Sequence, residues 1–292
     1  MKYLFQNKRV FFILLFLFSG LRAQKILVIN NTNNSIIVKN GKKEMPLKSL
    51  DKKEFTETDR ISIHIPDELT QNINLFLEPK EKLNIVVDKD KKFIYTGDHS
   101  ALHEYINERL ALETYGKLDT YYSIEDKKNL GELKNVSELL LVDILKKSKL
   151  SNILISQDDK HSVKRLKNYV KYLWLYTLFI TIDRQNLEKT FKKGALNYYY
   201  KKYIETDIPR FSCTTFLQYK VIEVLAKNKS ILSAELPTYP IVEHTDEDNI
   251  NQYLPQNCQK QYFEQKYNYL EHINGHNKEY YKKVLTEKFN EE

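Results

Sequence analysis

FLEPKEKLNIVVDKDKKFIYTGDHSALHEYI, residues 76–106, is where the chain changes its hydrophobic period. Leu83, Ile85 and Val87 alternate with other residues, as do Phe93 and Tyr95, and this two-residue repeat marks strands with one buried face. Between them, Asp88 to Lys91 predicts the turn of a hairpin. Beyond Gly97 the spacing lengthens. Leu102, Ile106 and Leu110 recur every four residues, the repeat of a helix, with Asp98 or Ser100 as its expected cap. One glycine therefore separates sheet from helix.

The same two periods extend outward from this stretch. From Lys25 to about Asp98 short runs such as ILVIN, SIIVK, ISIHI and INLFL alternate, and Asn40-Gly41 is a strong tight-turn signal. After it, helices are expected near residues 132–150, 159–183, 187–205, 211–228, 257–274 and 277–290. Breaks fall at Pro209, Pro237 and Pro240. LWLYTLFITI, residues 173–182, is apolar on all sides and too short to span a bilayer, so it predicts a central buried helix. The expected fold class is α+β, a small antiparallel sheet or sandwich over residues 24–97 followed by an all-helical domain over residues 98–292.

The N-terminus reads as an address. Lys2, Lys8 and Arg9 precede an apolar run from Val10 to Phe18, and Ala23 offers a small residue for cleavage before Gln24. That order predicts a secretory signal peptide over residues 1–23 and a periplasmic or secreted chain. An uncleaved anchor is the alternative, but it needs about 20 apolar residues, more than Val10 to Leu21 provides. No cysteine lies near the cut, which excludes a lipoprotein, and no transmembrane segment is expected after cleavage.

Removing the leader takes away four basic residues and no acid, so the formal charge falls from +7 to +3. The remaining lysines are interleaved with Asp and Glu, as in residues 282–292, which argues for a solvated surface and against a nucleic-acid-binding stripe. Seven Gly and seven Pro argue against a loop-rich or disordered chain. The Tyr triplet at 198–200 is expected to be half-buried helix packing.

Two cysteines, Cys213 and Cys258, lie in a chain expected in an oxidising compartment, where pairing is the default and two buried free thiols are the alternative. They are too far apart for a redox-active Cys-x-x-Cys. The polar connection from Pro237 to Pro255 that their pairing would close over is expected to be the most mobile segment.

Other candidate sites are sparse. His99 and His103, and likewise His272 and His276, have the four-residue spacing of ligands on one helix face, but neither pair has a marked third ligand, and exposed polar histidines are the expectation. Asp158-Asp159 and the acidic run from Glu243 to Asp248 lack the pattern of a calcium loop. There is no Gly-x-Ser-x-Gly elbow and no Walker or dinucleotide loop. No catalytic, cofactor-binding or metal-ligating residue is assigned, and no cofactor is expected.

INLFLEPKEKLNIVVDKDKKFIYTGDHSALHEYI is similar to the end of the β domain that precedes the thioredoxin fold in exported TlpA-like thiol–disulfide interchange proteins of Gram-negative bacteria. Pro79, Leu83, Ile85, Val87, Phe93, Tyr95, Gly97 and the helix from Ser100 carry the likeness over about 35 residues. Lys80 and Glu81 depart from it, standing where that family usually has Gly and Asp. The family's Trp-Cys-x-x-Cys is absent, since the only Trp, Trp174, lies within a helical run. The resemblance implies a non-catalytic exported binding or accessory protein with an unknown protein or small-molecule partner in the cell envelope. The alternatives are a truncated or split oxidoreductase whose thioredoxin domain is encoded downstream, and an unrelated envelope interaction protein.

Overall fold

A computed structural model describes residues 23–41, 43–68, 70–117, 129–148, 161–184, 187–208, 211, 213 and 215–290. Residues 1–22, Asp158-Asp159 and Pro209, on which some of the sequence expectations fall, lie outside the described residues. Eight strands come first: β1 (Lys25–Asn30), β2 (Ile36–Asn40), β3 (Lys43–Leu47), β4 (Lys52–Thr56), β5 (Arg60–His64), β6 (Gln71–Asn74), β7 (Lys82–Val87) and β8 (Phe93–Gly97). Helical structure follows, so the α+β class is as the two periods indicate. It comprises α1 (Ser100–Glu104), a π-helical turn (Tyr105–Arg109), α2 (Leu110–Tyr115), α3 (Leu130–Lys147), α4 (His161–Arg184) and α5 (Lys189–Tyr199). A second π-helical turn (Tyr200–Ile204) precedes α6 (Phe216–Lys227), α7 (Asp248–Asn251), α8 (Gln256–His272) and α9 (Lys278–Phe289).

These elements form two compact units. The first takes residues up to Glu113 together with Asp143–Lys167, and the second takes Thr114–Val142 and Asn168 onward. The helical residues 100–113, 143–147 and 161–167 therefore group with the strands.

In the first unit the strands make two four-stranded sheets, ordered β4-β1-β7-β8 and β3-β2-β5-β6. Alternation decides which side chains are covered. Ile26, Val28, Ile36, Val38, Ile61, Ile63, Leu83, Ile85 and Val87 sit at every second position of their strands and join one core shared by both sheets. The β2–β3 hairpin pairs Asn40 with Lys43 around Gly41, whose φ of 59° suits a tight primed turn. In the β7–β8 hairpin the Asp88 carboxylate accepts from the Lys92 N–H at 2.8 Å. One pairing departs from the antiparallel expectation. β1 runs parallel to β7, with Lys25 opposite Lys82 and Asn30 opposite Val87, because five intervening strands return the chain in the same direction. At the end of β1 the fully buried Asn30 amide donates to the carbonyls of Leu47 (2.9 Å) and Asn34 (2.7 Å), and its oxygen accepts from the Thr32 N–H (3.0 Å).

In the second unit, Trp174, Leu175, Leu178, Phe179 and Ile182 of α4 are buried in one apolar cluster with residues of α5, α6, α8 and α9. Thr177 and Thr181 share that burial because each hydroxyl donates back to the carbonyl four residues earlier, at 3.0 Å. In the Tyr triplet, Tyr198 is half-buried as expected and the other two are more deeply placed. Tyr199 and Tyr200 are buried, and Tyr199 meets Trp174 edge-on at 5.8 Å. Cys213 and Cys258 are joined in a disulfide, with 5.1 Å between their Cα atoms. Cys213 stands in the segment before α6, whose start is fixed by the Thr215 side chain accepting from the Gln218 N–H. The Pro237–Pro255 connection is tied back by Gln259, which donates to the Pro240 carbonyl and accepts from the Val242 N–H, both at 2.8 Å. Among the described residues no helix is long and apolar enough to cross a membrane.

Candidate functional site

The site grows out of the residues that follow β8. Gly97 (φ 100°) and His99 (φ 53°) both adopt left-handed backbone, and together they turn the chain sharply into α1. Neither expected cap acts as one. The Asp98 carboxylate instead accepts from the Lys82 N–H at 2.8 Å, and Ser100 is already helical, so His99 holds the cap position without a side-chain bond to the helix.

This turn forms one wall of a cavity of about 380 Å³ lying wholly within the first unit. Gly97, His99, Ser100, Ala101 and Leu102 line it on that side. Phe76, just after β6, and Val163 and Leu166 of α4 add apolar surface, while Ser148 and Ser162 add hydroxyls. Phe76 is buried and lies under the Arg165 guanidinium at 5.4 Å. Arg165 also donates to the Leu75 carbonyl at 3.0 Å and pairs with Asp59. The Ser148 hydroxyl is buried and has no hydrogen-bond partner among the described residues.

A chain of polar contacts borders the cavity. Ser162 donates its N–H (2.9 Å) and its hydroxyl to the Glu78 carboxylate. The Glu78 N–H in turn donates to Glu81 (2.7 Å), whose other carboxylate oxygen meets His99 Nε2 at 3.0 Å. These contacts hold the carboxylates in place, and the cavity offers a ligand an apolar wall with a hydroxyl-bearing edge.

The expectation of exposed histidines fails for His103, which is fully buried. Its Nε2 accepts from the Phe76 N–H at 3.0 Å and its Nδ1 lies 2.9 Å from the His99 carbonyl. A backbone N–H can only donate and a carbonyl can only accept, so the ring is neutral with its proton on Nδ1. Burial is the main cause that lowers its pKa to about 4. His103 and His99 therefore do not present two vacant nitrogens to one ion. His272, in the last turn of α8, and His276, beyond it, are both exposed. In the acidic run, Asp248 accepts from the Thr245 N–H (2.6 Å), which holds its carboxyl below the usual range, and Glu247 pairs with Lys266 at 2.8 Å.

Sequence reasoning missed Phe76, Ser148, Ser162 and Leu166. A signal existed only for the α4 pair, since Ser162 and Leu166 are one helical turn apart and so share a face. Comparison with known proteins finds no family model that matches the chain and no curated protein that matches it.

Proposed function

We propose that the chain is an exported, non-catalytic binding protein of the cell envelope, and that its small-molecule partner occupies the cavity between Phe76, the Gly97–Leu102 turn and the start of α4. The observation that carries this reading is the cavity itself. It combines about 380 Å³ of space, apolar walls and a hydroxyl-bearing edge, the usual make-up of a small-ligand site. The bridge between Cys213 and Cys258 supports export, since such bonds persist in oxidising compartments. Both sulfurs are consumed in it and buried, which supports a binding role over thiol chemistry. The order strand, hairpin, glycine and helix over residues 82–104 supports a likeness in layout to the region preceding the thioredoxin fold of TlpA-like proteins.

The test uses mature protein from the periplasm, whose intact mass should correspond to a chain beginning at Gln24. An amphiphilic fluorescent probe, 8-anilinonaphthalene-1-sulfonate, is titrated at neutral pH against this protein and its Ala101→Trp variant. Ala101 is exposed on α1 and lines the cavity, so an indole there fills the space without cutting into the core. Saturable binding that Ala101→Trp weakens at least tenfold is expected. Binding unchanged by the variant, or none, overturns the assignment of the cavity.

A further inference from the structure

One of the ties behind the cavity wall is a buried imidazole. His103 bonds on one side to the Phe76 N–H and on the other to the His99 carbonyl, and both residues line the cavity. Phe76 belongs to the segment after β6, and His99 to the turn after β8. The ring thus fastens two pieces of wall that are well separated in sequence, and it does so only in its neutral form. A second proton on Nε2 would set two N–H groups against each other across 3.0 Å, in a place closed to solvent.

We propose that His103 is an acid-sensitive pin of the ligand cavity: its protonation expels the Phe76 N–H, loosens the Phe76 end of the wall, which the Glu81–His99 contact still anchors further along, and lowers retention of whatever the cavity holds. This rests on the cavity being the binding site. The charged groups around the ring are few. On its own side of the wall His99 opposes a charge on the ring, and from the β6–β7 connection Glu81 favours one while being paired to His99. Glu78 of the same connection is occupied by Ser162, and Arg165 of α4 stands over the Phe76 ring with Asp59 as its partner. Among the described residues Glu81 is the carboxylate that favours the imidazolium, and it is already engaged, so burial governs the titration and the pin holds at neutral pH.

The experiment follows the wild-type mature protein by nitrogen-15 NMR and amide hydrogen exchange from pH 7 down to pH 4, with probe binding measured at the same points. The expected result has three parts. The His103 ring loses the signature of its Nδ1–H tautomer, the protection factor of the Phe76 amide falls at least tenfold, and the amides of Val28 and Ile85 in the central strands stay protected. Probe affinity should fall over the same interval. In His103→Gln, whose carboxamide oxygen can accept from Phe76 and does not titrate, both readouts should be flat. If His103→Gln does not fold, the wild-type measurements decide alone. A Phe76 amide that stays protected while the ring titrates overturns the pin, and so does protection lost at once in Phe76, Val28 and Ile85, which is unfolding. Loss of Phe76 protection with unchanged probe affinity overturns the link to ligand retention. Failure of the cavity assignment is read separately, from Ala101→Trp at neutral pH.

Discussion

A Cβ built on Gly97 would stand 2.6 Å from the carbonyl oxygen of Lys82. That carbonyl also accepts from the Asp98 N–H at 2.7 Å, so β7 cannot retreat without losing a bond. With φ at 100° as well, any side chain at this position meets both a steric and a conformational cost. Gly97→Ala should lower the stability of the protein by about 3 kcal/mol in denaturant melts. Gly41→Ala makes a useful contrast, because a Cβ there meets nothing within 4 Å and only the positive φ opposes it. A smaller loss, about 1 kcal/mol, is expected.

The buried Asn30 side chain donates to the Leu47 carbonyl and accepts from the Thr32 N–H in buried bonds, and donates to the Asn34 carbonyl in a part-buried one. Asn30→Ala should cost about 3 kcal/mol, because the buried Thr32 N–H loses its partner and the Leu47 carbonyl keeps only the longer Ser35 hydroxyl bond of 3.3 Å. Asn30→Asp should be worse than Ala at neutral pH, since a carboxylate has no hydrogen to give the two carbonyls and brings a buried charge. Equal stability of the two variants would refute this account.

The bridge between Cys213 and Cys258 closes a loop with a sequence separation of 45. Its removal by reduction, or by Cys213→Ala with Cys258→Ala, should lower stability by about 4 kcal/mol on the chain-entropy account. Peptide mapping without reductant should recover the linked pair. Insulin reduction by the protein should match buffer, because both sulfurs are buried and a thiolate there is out of reach of a substrate disulfide.

His103 gives the stability a pH dependence whose sign is fixed. Its folded pKa, about 4, lies below the ordinary value of 6.5, so as pH falls the unfolded chain takes up the proton first. The contribution is fully present above pH 6.5 and is lost progressively down to about pH 4. The whole loss amounts to about 3 kcal/mol. Denaturant melts of wild type and His103→Gln at pH 7 and pH 4.5 should show the smaller decline in the variant.

Much of this fold is local in origin, and to that extent it can be read from the sequence. Ile26 and Val28, or Leu83, Ile85 and Val87, announce their strands because alternation and burial share a period of two. LWLYTLFITI announces a buried helix because no face of it is polar. The pairing of Lys25 with Lys82 leaves no local trace, since registry between distant strands comes from packing the whole core. The cavity is equally hidden. His103 reads as an exposed residue near a helix start, and only the tertiary arrival of the Phe76 N–H and the shielding of the ring make it a buried acceptor. The caps were misplaced for the same reason, because Asp98 bonds a strand instead of the helix after it.

The parallel partnership of β1 and β7 also bears on how the chain is made. β1 is an interior strand of its sheet, between β4 and β7. A polypeptide that leaves its channel N-terminus first therefore carries one side of β1 unpaired until Val87 has emerged. The earliest strand delivered is among the last to be finished. Such distant pairing makes for slow folding, and an unsatisfied apolar strand meanwhile invites association with other chains. A holding chaperone would find its natural target in residues 25–30 of the nascent protein.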